Sequence, residues 1–303
     1  MGIPWLKYLM TPRALAIGVL LRVARWIPDK LYLHAMYYLQ LGKRLNLKTP
    51  QTYTEKLQWL KLYYHRPECT VMVDKYLAKQ WVAERIGGEY IIPTLGVWER
   101  AEDIDFDTLP DRFVLKCNHD NNSVVICKDK SSFDIQTARK KLNRCLKRDF
   151  YVKTREWPYK DVPRRVIAET YMGEDDEDLK DYKFLCFDGS PKVMYVIGHH
   201  SGHKTLDYYD MDFHLLPIVC RGVEPSGVPQ SMPDSFPEMK RIAATLSAGF
   251  PHVRVDLYCL NGQVYFGELT FFATSGYNDM CSVERDREFG EWLSLPPKCL
   301  GES

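Results

Sequence analysis

Alternation of apolar and polar positions is clearest in the last third of the chain. Across RVDLYCL the apolar residues Val253, Val255 and Leu257 alternate with Arg254, Asp256 and Tyr258, the period of a half-buried strand. Asn261-Gly262 interrupts the run, and QVYFGELT resumes it, so the two segments read as a β-hairpin. Register then decides whether the polar residues converge. A two-residue loop at Asn261-Gly262 sets Glu268 opposite Val255, on the face away from Asp256. A three-residue loop, Leu260-Asn261-Gly262, with Gly262 left-handed in a bulge, sets Cys259 opposite Gln263 and Arg254 opposite Glu268. Arg254, Asp256, Glu268 and Thr270 then share one face, with Val253 against Leu269 and Leu257 against Tyr265 on the other. Packing and chemistry both favour this bulged loop, and it is the expected register.

Two carboxylates roughly 5 Å apart repel by about 3 kcal/mol at an effective dielectric near 20, so such a face needs a cation. Mg²⁺ matches hard oxygen donors best. The plainer alternative is that Arg254 bridges two acids on a strand surface.

Upstream, RFVLKCNHDNNSVVICKD predicts strand, polar turn, strand, with Lys116 ending the apolar run Phe113-Val114-Leu115 and a turn over residues 119–123. RRVIAETYMG predicts a strand running through Glu169, and DYKFLCFDG one that carries Asp181 and Lys183. Asp74 caps a predicted helix that continues to Gly87-Gly88, with Lys75 in its first turn. Further helices are expected over Phe133 to Phe150 and Met232 to Phe250. Glu174 to Asp178 reads as a solvated acidic loop, and the tail beyond Leu295-Pro296-Pro297 as frayed.

Composition adds bounds. At 303 residues and 45% hydrophobic, the chain can bury a large core. Its net charge of +1 argues against nucleic acid as a partner. Charge is uneven, however: residues 1–50 hold eight Lys or Arg and one acid, Asp29. This segment predicts two helices divided near Pro28. Its longest apolar run, Ala14 to Leu21, is eight residues, against about 20 for a membrane span. No cleavage site of the secretory kind follows. Residues 1–27 could lie on an anionic membrane, pack on the body, or meet a second subunit in a homo-oligomer; the pattern leaves these open. Nine cysteines without a C-x-x-C read as reduced thiols of a cytoplasmic protein. His199, His200 and His203 read as a polar pocket or solvated residues, because a zinc site lacks an assignable fourth ligand.

Taken together, VDKYLAKQWV, FVLKCN, IAETYMG, DYKFLCFDG, LDYYDMDF and RVDLY with GELT resemble the TupA-like ATP-grasp family, found among bacterial genes for capsular and teichuronopeptide-type surface polymers. The resemblance covers roughly residues 50 to 290. It implies an α+β, ATP-grasp fold, two α+β subdomains gripping ATP, behind an N-terminal helical extension. The corresponding division is a basic helical segment 1–50, a lead-in 51–111 with a helix over 74–86, a lid 112–172, a metal-binding subdomain 173–292 and a tail 293–303.

The resemblance further implies roles. Lys75 and Lys116 would hold the phosphates of ATP under the turn that contains Ser123, with Lys183 and Lys204 as further candidates. The backbone of Glu169, Thr170, Tyr171 and Met172 would edge the adenine, and Asp181 would take the ribose. Asp256, Glu268 and Thr270 would hold Mg²⁺, while Arg254, with Lys183, would face charge developing in the reaction. Thr270 stands where the superfamily has asparagine, which leaves one or two metal ions open. The covering turn has no glycine, so the side chains of His119, Asn121, Asn122 and Ser123 become candidates for the phosphate. The implied activity is an ATP- and Mg²⁺-dependent carboxylate-amine ligase. It would join a saccharide or polysaccharide precursor to an amino acid or amine through an acyl phosphate in the bacterial cytoplasm, with the inner face of the membrane as the place of action if residues 1–27 do bind there. The competing reading is a glycosyltransferase using Asp210-Met211-Asp212 as a D-x-D metal motif. A nucleotide-binding scaffold without turnover and a sugar kinase are further alternatives.

Overall fold

A computed structural model describes residues 11–173, 180–200, 203–219, 223–228, 230–278 and 282–300, with the side chains of residues 199, 200, 203, 204 and 300 outside the description. The acidic stretch Glu174 to Asp178 lies outside the described residues. The backbone forms two compact units, one of Pro67–Arg148 and Asp161–Phe271, the other of Met1–Arg66, Asp149–Lys160 and Phe272–Ser303.

The first unit carries two sheets. Strands β1 (Thr94–Trp98), β2 (Phe113–Cys117), β3 (Val125–Cys127) and β4 (Val166–Thr170) form a four-stranded sheet in the order β1-β4-β2-β3. Helices α1 (Glu68–Val73) and α2 (Leu77–Ile86) precede it, and α3 (Ile135–Leu146) covers it. In β2 the alternation buries Phe113, Leu115 and Cys117. They meet Leu142 and Cys145 of α3 and an aromatic cluster in which Phe113 and Phe133 lie edge to face at 5.3 Å. The described cysteines are free thiols, most of them core residues. The helix expected over Phe133 to Phe150 is in fact two. It stops at Leu146, because the carboxylate of Asp149 accepts the Val152 N–H and caps a new helix, Phe150–Thr154, in the other unit.

Strands β5 (Lys180–Phe187), β6 (Ser190–His200), β7 (His203–Tyr209), β8 (Leu215–Leu216), β9 (His252–Leu260) and β10 (Gln263–Thr270) form a six-stranded sheet in the order β10-β9-β5-β6-β7-β8. One face is apolar: Phe184, Cys186, Val253, Val255 and Leu257 are buried. Helix α4 (Phe236–Ser247) packs on that sheet through a stripe of Met239, Ile242, Ala243 and Leu246. It is shorter than the expected Met232 to Phe250: it begins after Ser235, with Pro237 in its first turn, and the chain leaves helical geometry at Ala248. Asp181, Lys183, Arg254 and Asp256 occupy the opposite face.

The second unit holds the N-terminal helices Pro12–Val23 and Asp29–Leu41, divided at Pro28 as expected, with a core of Tyr32, Leu33, Met36 and Tyr37. Helix Tyr53–Tyr63 opens with a capping box of Thr52 and Glu55. It packs on Val283–Trp292 so closely that a Cβ on Gly290 would fall 2.1 Å from the Gln51 carbonyl oxygen. The tail is not frayed throughout: Cys299–Leu300 pairs in parallel with Tyr64–His65.

Candidate active site

The hairpin of β9 and β10 closes differently from the expected register. Leu260 pairs with Gln263, so Asn261-Gly262 is a two-residue loop, both residues having positive φ (52° and 80°) as a type I′ turn requires. The bulge lies further along. Leu257 pairs with Phe266 but Asp256 with Glu268, leaving Gly267 as the extra residue, and Arg254 pairs with Thr270. One inserted residue shifts the period-two pattern by one step and returns Glu268 to the face of Asp256. The expected convergence is present, then, but Gly267 produces it rather than Gly262. Arg254 is not opposite Glu268, and Leu257 not opposite Tyr265.

Register carries the polar face across four strands. Glu268, Asp256, Lys183 and Tyr195 stand in one row, from β10 through β9 and β5 to β6. Asp256 is fully buried, and cations satisfy it. Arg254 donates from Nε to Oδ1 at 2.6 Å and from Nη2 to Oδ2 at 2.7 Å, and Lys183 also donates to Oδ2. Arg254 Nη2 reaches Glu268 Oε1 at 2.7 Å as well, while its Nη1 donates to the Tyr195 hydroxyl at 3.3 Å. Lys183 lies 2.5 Å from Asp181 Oδ2, and Asp181 Oδ1 is buried without a hydrogen-bond partner.

Burial without compensation is costly for charge, so the balance of each group is informative. Burial lifts the Asp181 carboxyl to about 6, although Lys183 works against it. Burial would also lift Glu268, but Lys75, Arg254, Lys183 and Lys116 hold it well below the usual carboxylate range. Burial opposes the charge of Lys183, yet Asp256 leads the groups that raise it above its ordinary value.

Lys116 of the four-stranded sheet, with Lys75 and Lys79 from the segment before it, completes the cluster. Lys75 donates to the Asp120 carbonyl at 2.7 Å, within the turn after β2, and stands 3.6 Å from Glu268 Oε2. Lys116, at the end of β2, is 2.5 Å from Glu169 Oε2. Lys75 precedes α2 instead of lying in its first turn, and Lys79, within α2, is 2.6 Å from Glu169 Oε1 and donates to the Ile92 carbonyl and the Thr94 hydroxyl. Sequence reasoning missed Lys79; its four-residue spacing from Lys75 was the available signal. Burial pushes Glu169 up, but Lys116 and Lys79 bring its carboxyl below the ordinary value.

Ser123 is buried and turned inward: its hydroxyl accepts from the Cys117 N–H and donates to Asp120, so it braces the turn instead of facing a phosphate. Thr170 N–H donates to the Pro93 carbonyl, and Tyr171 lies under the Arg112 guanidinium at 4.7 Å. Met172 lies two residues past the end of β4. Lys204 lies on β7, its side chain outside the described residues, as are those of His199, His200 and His203. Asp210 spends its carboxylate locally, accepting from the backbone N–H groups of Asp212 and His214 and meeting the His214 ring at 3.0 Å. That pattern is a side-chain-closed turn, the ordinary use of aspartate there.

The donor set suits magnesium. Asp256, Glu268 and the Thr270 hydroxyl, 3.4 Å from Glu268 Oε1, are hard oxygens, and Asp256 Oδ1 and Glu268 Oε2 are the carboxylate oxygens with the fewest donors among the described residues. Asp256 Oδ1 meets a single donor, and Glu268 Oε2 faces Lys75 at 3.6 Å.

Two antiparallel sheets, one bearing the strand lysine Lys116 beside a polar turn and one a bulged hairpin of paired acids, define an ATP-grasp fold. A family profile described as TupA-like ATPgrasp matches residues 55–294, and the chain belongs to that family. No curated protein matches the sequence. Among solved structures, it is similar to the D-alanine–D-alanine ligases of Bacillus anthracis (15% identity, TM-score 0.41) and Helicobacter pylori (14%, 0.42), and to a RimK domain ATP-grasp protein of Sphaerobacter thermophilus DSM 20745 (12%, 0.39). The alignments cover 78%, 80% and 74% of this chain and 64%, 69% and 69% of those chains. The chain thus spans a little under two thirds of the Bacillus anthracis ligase.

Proposed function

We propose that the protein is an ATP-grasp ligase that joins a carboxylate to an amine, acting on a bacterial surface polysaccharide or its precursor. Family membership supports the reaction class. The polysaccharide reading rests on the kind of gene neighbourhood in which this family is found. An amino acid or amine is the second substrate, and the cytoplasmic side of the membrane is where such precursors are built.

The substrate carboxylate attacks the γ-phosphorus of ATP; an O–P bond forms, the bond to the bridging oxygen breaks, and ADP leaves. An amine then attacks the acyl carbon, phosphate departs with the C–O electron pair, and the amine loses a proton. Such chemistry asks a protein mainly for position and charge. Lys75 and Lys116 take the phosphates, exchanging Glu268 and Glu169 for the stronger anion, with Lys183 and Lys204 as secondary contacts. The backbone of Glu169 to Met172 borders the adenine, and Asp181 receives the ribose hydroxyls. Asp256, Glu268 and Thr270 would hold Mg²⁺, which supplies charge neutralisation at the phosphates when bound. Arg254, fixed by Asp256 and Tyr195, faces the charge that develops on the reacting acyl group.

The observation that carries this reading is the row Glu268-Asp256-Lys183, with Lys75 joining Glu268 to the covering turn. Hydroxylamine trapping of an acyl phosphate, with ADP release, tests it. Wild type should form hydroxamate from a substrate carboxylate, while Asp256→Asn and Lys116→Ala should not. Absence of ATP·Mg²⁺ stabilisation of wild type would sink the proposal.

A further inference from the structure

We infer that residues 12–31 dock the protein on an anionic lipid surface. This inference is independent of the ligase reading. Helix Pro12–Val23 contains no fully buried residue. Ile17 and Leu20 lean on the core of Tyr32, Leu33 and Met36. On the outside, Leu15 is 61% exposed, Val19 58% and Trp26 77%. Leu15 and Val19, four residues apart, lie on one face of the helix, and Trp26 follows in the short 3₁₀ turn Ala24–Trp26. Leu21, Val23 and Leu31 are also exposed in this segment. An apolar group of this kind on a protein surface marks something that covers it.

Charge identifies the cover. Arg13, Arg22, Arg25 and Lys30 are all exposed along this segment. Asp29 is its one acid, and Arg155 at 2.8 Å and the Tyr151 hydroxyl at 2.5 Å already engage it. Arg25 reaches Asp149 only at 3.7 Å, with 70% of its side chain exposed. Exposed apolar and cationic side chains therefore share this segment: Arg22 stands three residues after Val19, and Arg25 adjoins Trp26. Leucine and valine favour the acyl boundary, tryptophan the headgroup level, and arginine the phosphates. The complementary partner is a bilayer face rich in acidic phospholipid. At 12 residues the helix is about 18 Å long, so it lies in the plane of the surface and does not cross. Among the described residues no helix is long and apolar enough to cross a membrane.

Co-sedimentation of the full chain with vesicles tests the inference. Binding should appear with phosphatidylglycerol mixed into phosphatidylcholine, be absent with phosphatidylcholine alone, and fade with added salt. Arg22→Gln with Arg25→Gln should lower partitioning roughly thirtyfold. Val19→Ser with Trp26→Ser should weaken it while leaving far-UV circular dichroism and the melting temperature unchanged, since both side chains are exposed. Equal binding to both vesicle types, or none, would overturn the inference. So would light scattering that shows a dimer dissociated by the Val19→Ser, Trp26→Ser variant in a protein that ignores vesicles, which would give these residues to a second copy.

Discussion

Asp256 and Glu268 stand directly opposite one another across the hairpin, and a single nitrogen of Arg254, Nη2, lies 2.7 Å from an oxygen of each. Arg254 neutralises a pair that would otherwise repel. Removing one partner from a buried ionic cluster leaves uncompensated charge, at a cost of about 3–5 kcal/mol. Arg254→Met should lower the free energy of unfolding in urea by that order. Because the acids then lack their bridge, added Mg²⁺ should restore more stability to the variant than it adds to wild type. Equal responses to Mg²⁺ would remove Asp256 and Glu268 as joint ligands.

Gly267 has a geometric reason to be glycine. A Cβ there would lie 3.0 Å from the Asp256 carbonyl oxygen and 3.1 Å from Cε2 of Tyr258. Gly267→Val should cost about 1–3 kcal/mol through overpacking and, by spreading the strands at the acids, weaken ATP·Mg²⁺ binding. Gly262→Ala is the control. Its φ of +80° makes the turn strained for alanine, so stability should fall while nucleotide affinity, read by calorimetry, stays.

Asp181 sets a pH dependence. Its folded-state value is raised to about 6 from the ordinary 3.8, so between those limits the native state keeps a proton that the unfolded chain has lost. Stability therefore falls as pH rises from about 4 to about 6, by at most about 3 kcal/mol from this group. Asp181→Asn should flatten that part of the profile in denaturant titrations. An unchanged slope would show that Lys183 keeps the carboxylate ionised.

Lys79 and Lys116 share Glu169 but should fail differently. Lys79 has two further protein acceptors, the Ile92 carbonyl and the Thr94 hydroxyl. Lys79→Met should thus cost about 2 kcal/mol of stability, the scale of charged hydrogen bonds. Lys116→Met should cost less stability and far more ATP affinity. Melting curves with and without ATP separate the two outcomes.

Much of this arrangement is legible in the sequence, within limits that have physical causes. Asn261-Gly262 announces the hairpin, because those residues tolerate the left-handed backbone of a tight turn. The bulge was harder to place. Gly262 and Gly267 are both plausible bulge residues, and both bulged registers put Asp256 and Glu268 on one face; choosing between them requires the pairing of Leu257 with Phe266. Ser123 shows a second limit. Its position in a polar turn is readable, whereas the inward rotation that gives its hydroxyl to Asp120 is a tertiary fact. Lys147 to Asp149 interrupts an otherwise continuous helical pattern through a cap that only the fold makes decisive.

The unit built from the chain's beginning, middle and end also bears on how the protein can be handled. Thr54 gives its backbone N–H and its hydroxyl to the two oxygens of Asp286, at 2.9 and 2.8 Å, and Lys56 holds the carbonyls of Gly290 and Leu293 at 2.8 Å each. A protease that clips before Asp286, or a gene shortened there, would strip these anchors from residues more than two hundred positions upstream. Trimming that looks harmless on a linear map would therefore loosen the helix Tyr53–Tyr63 first.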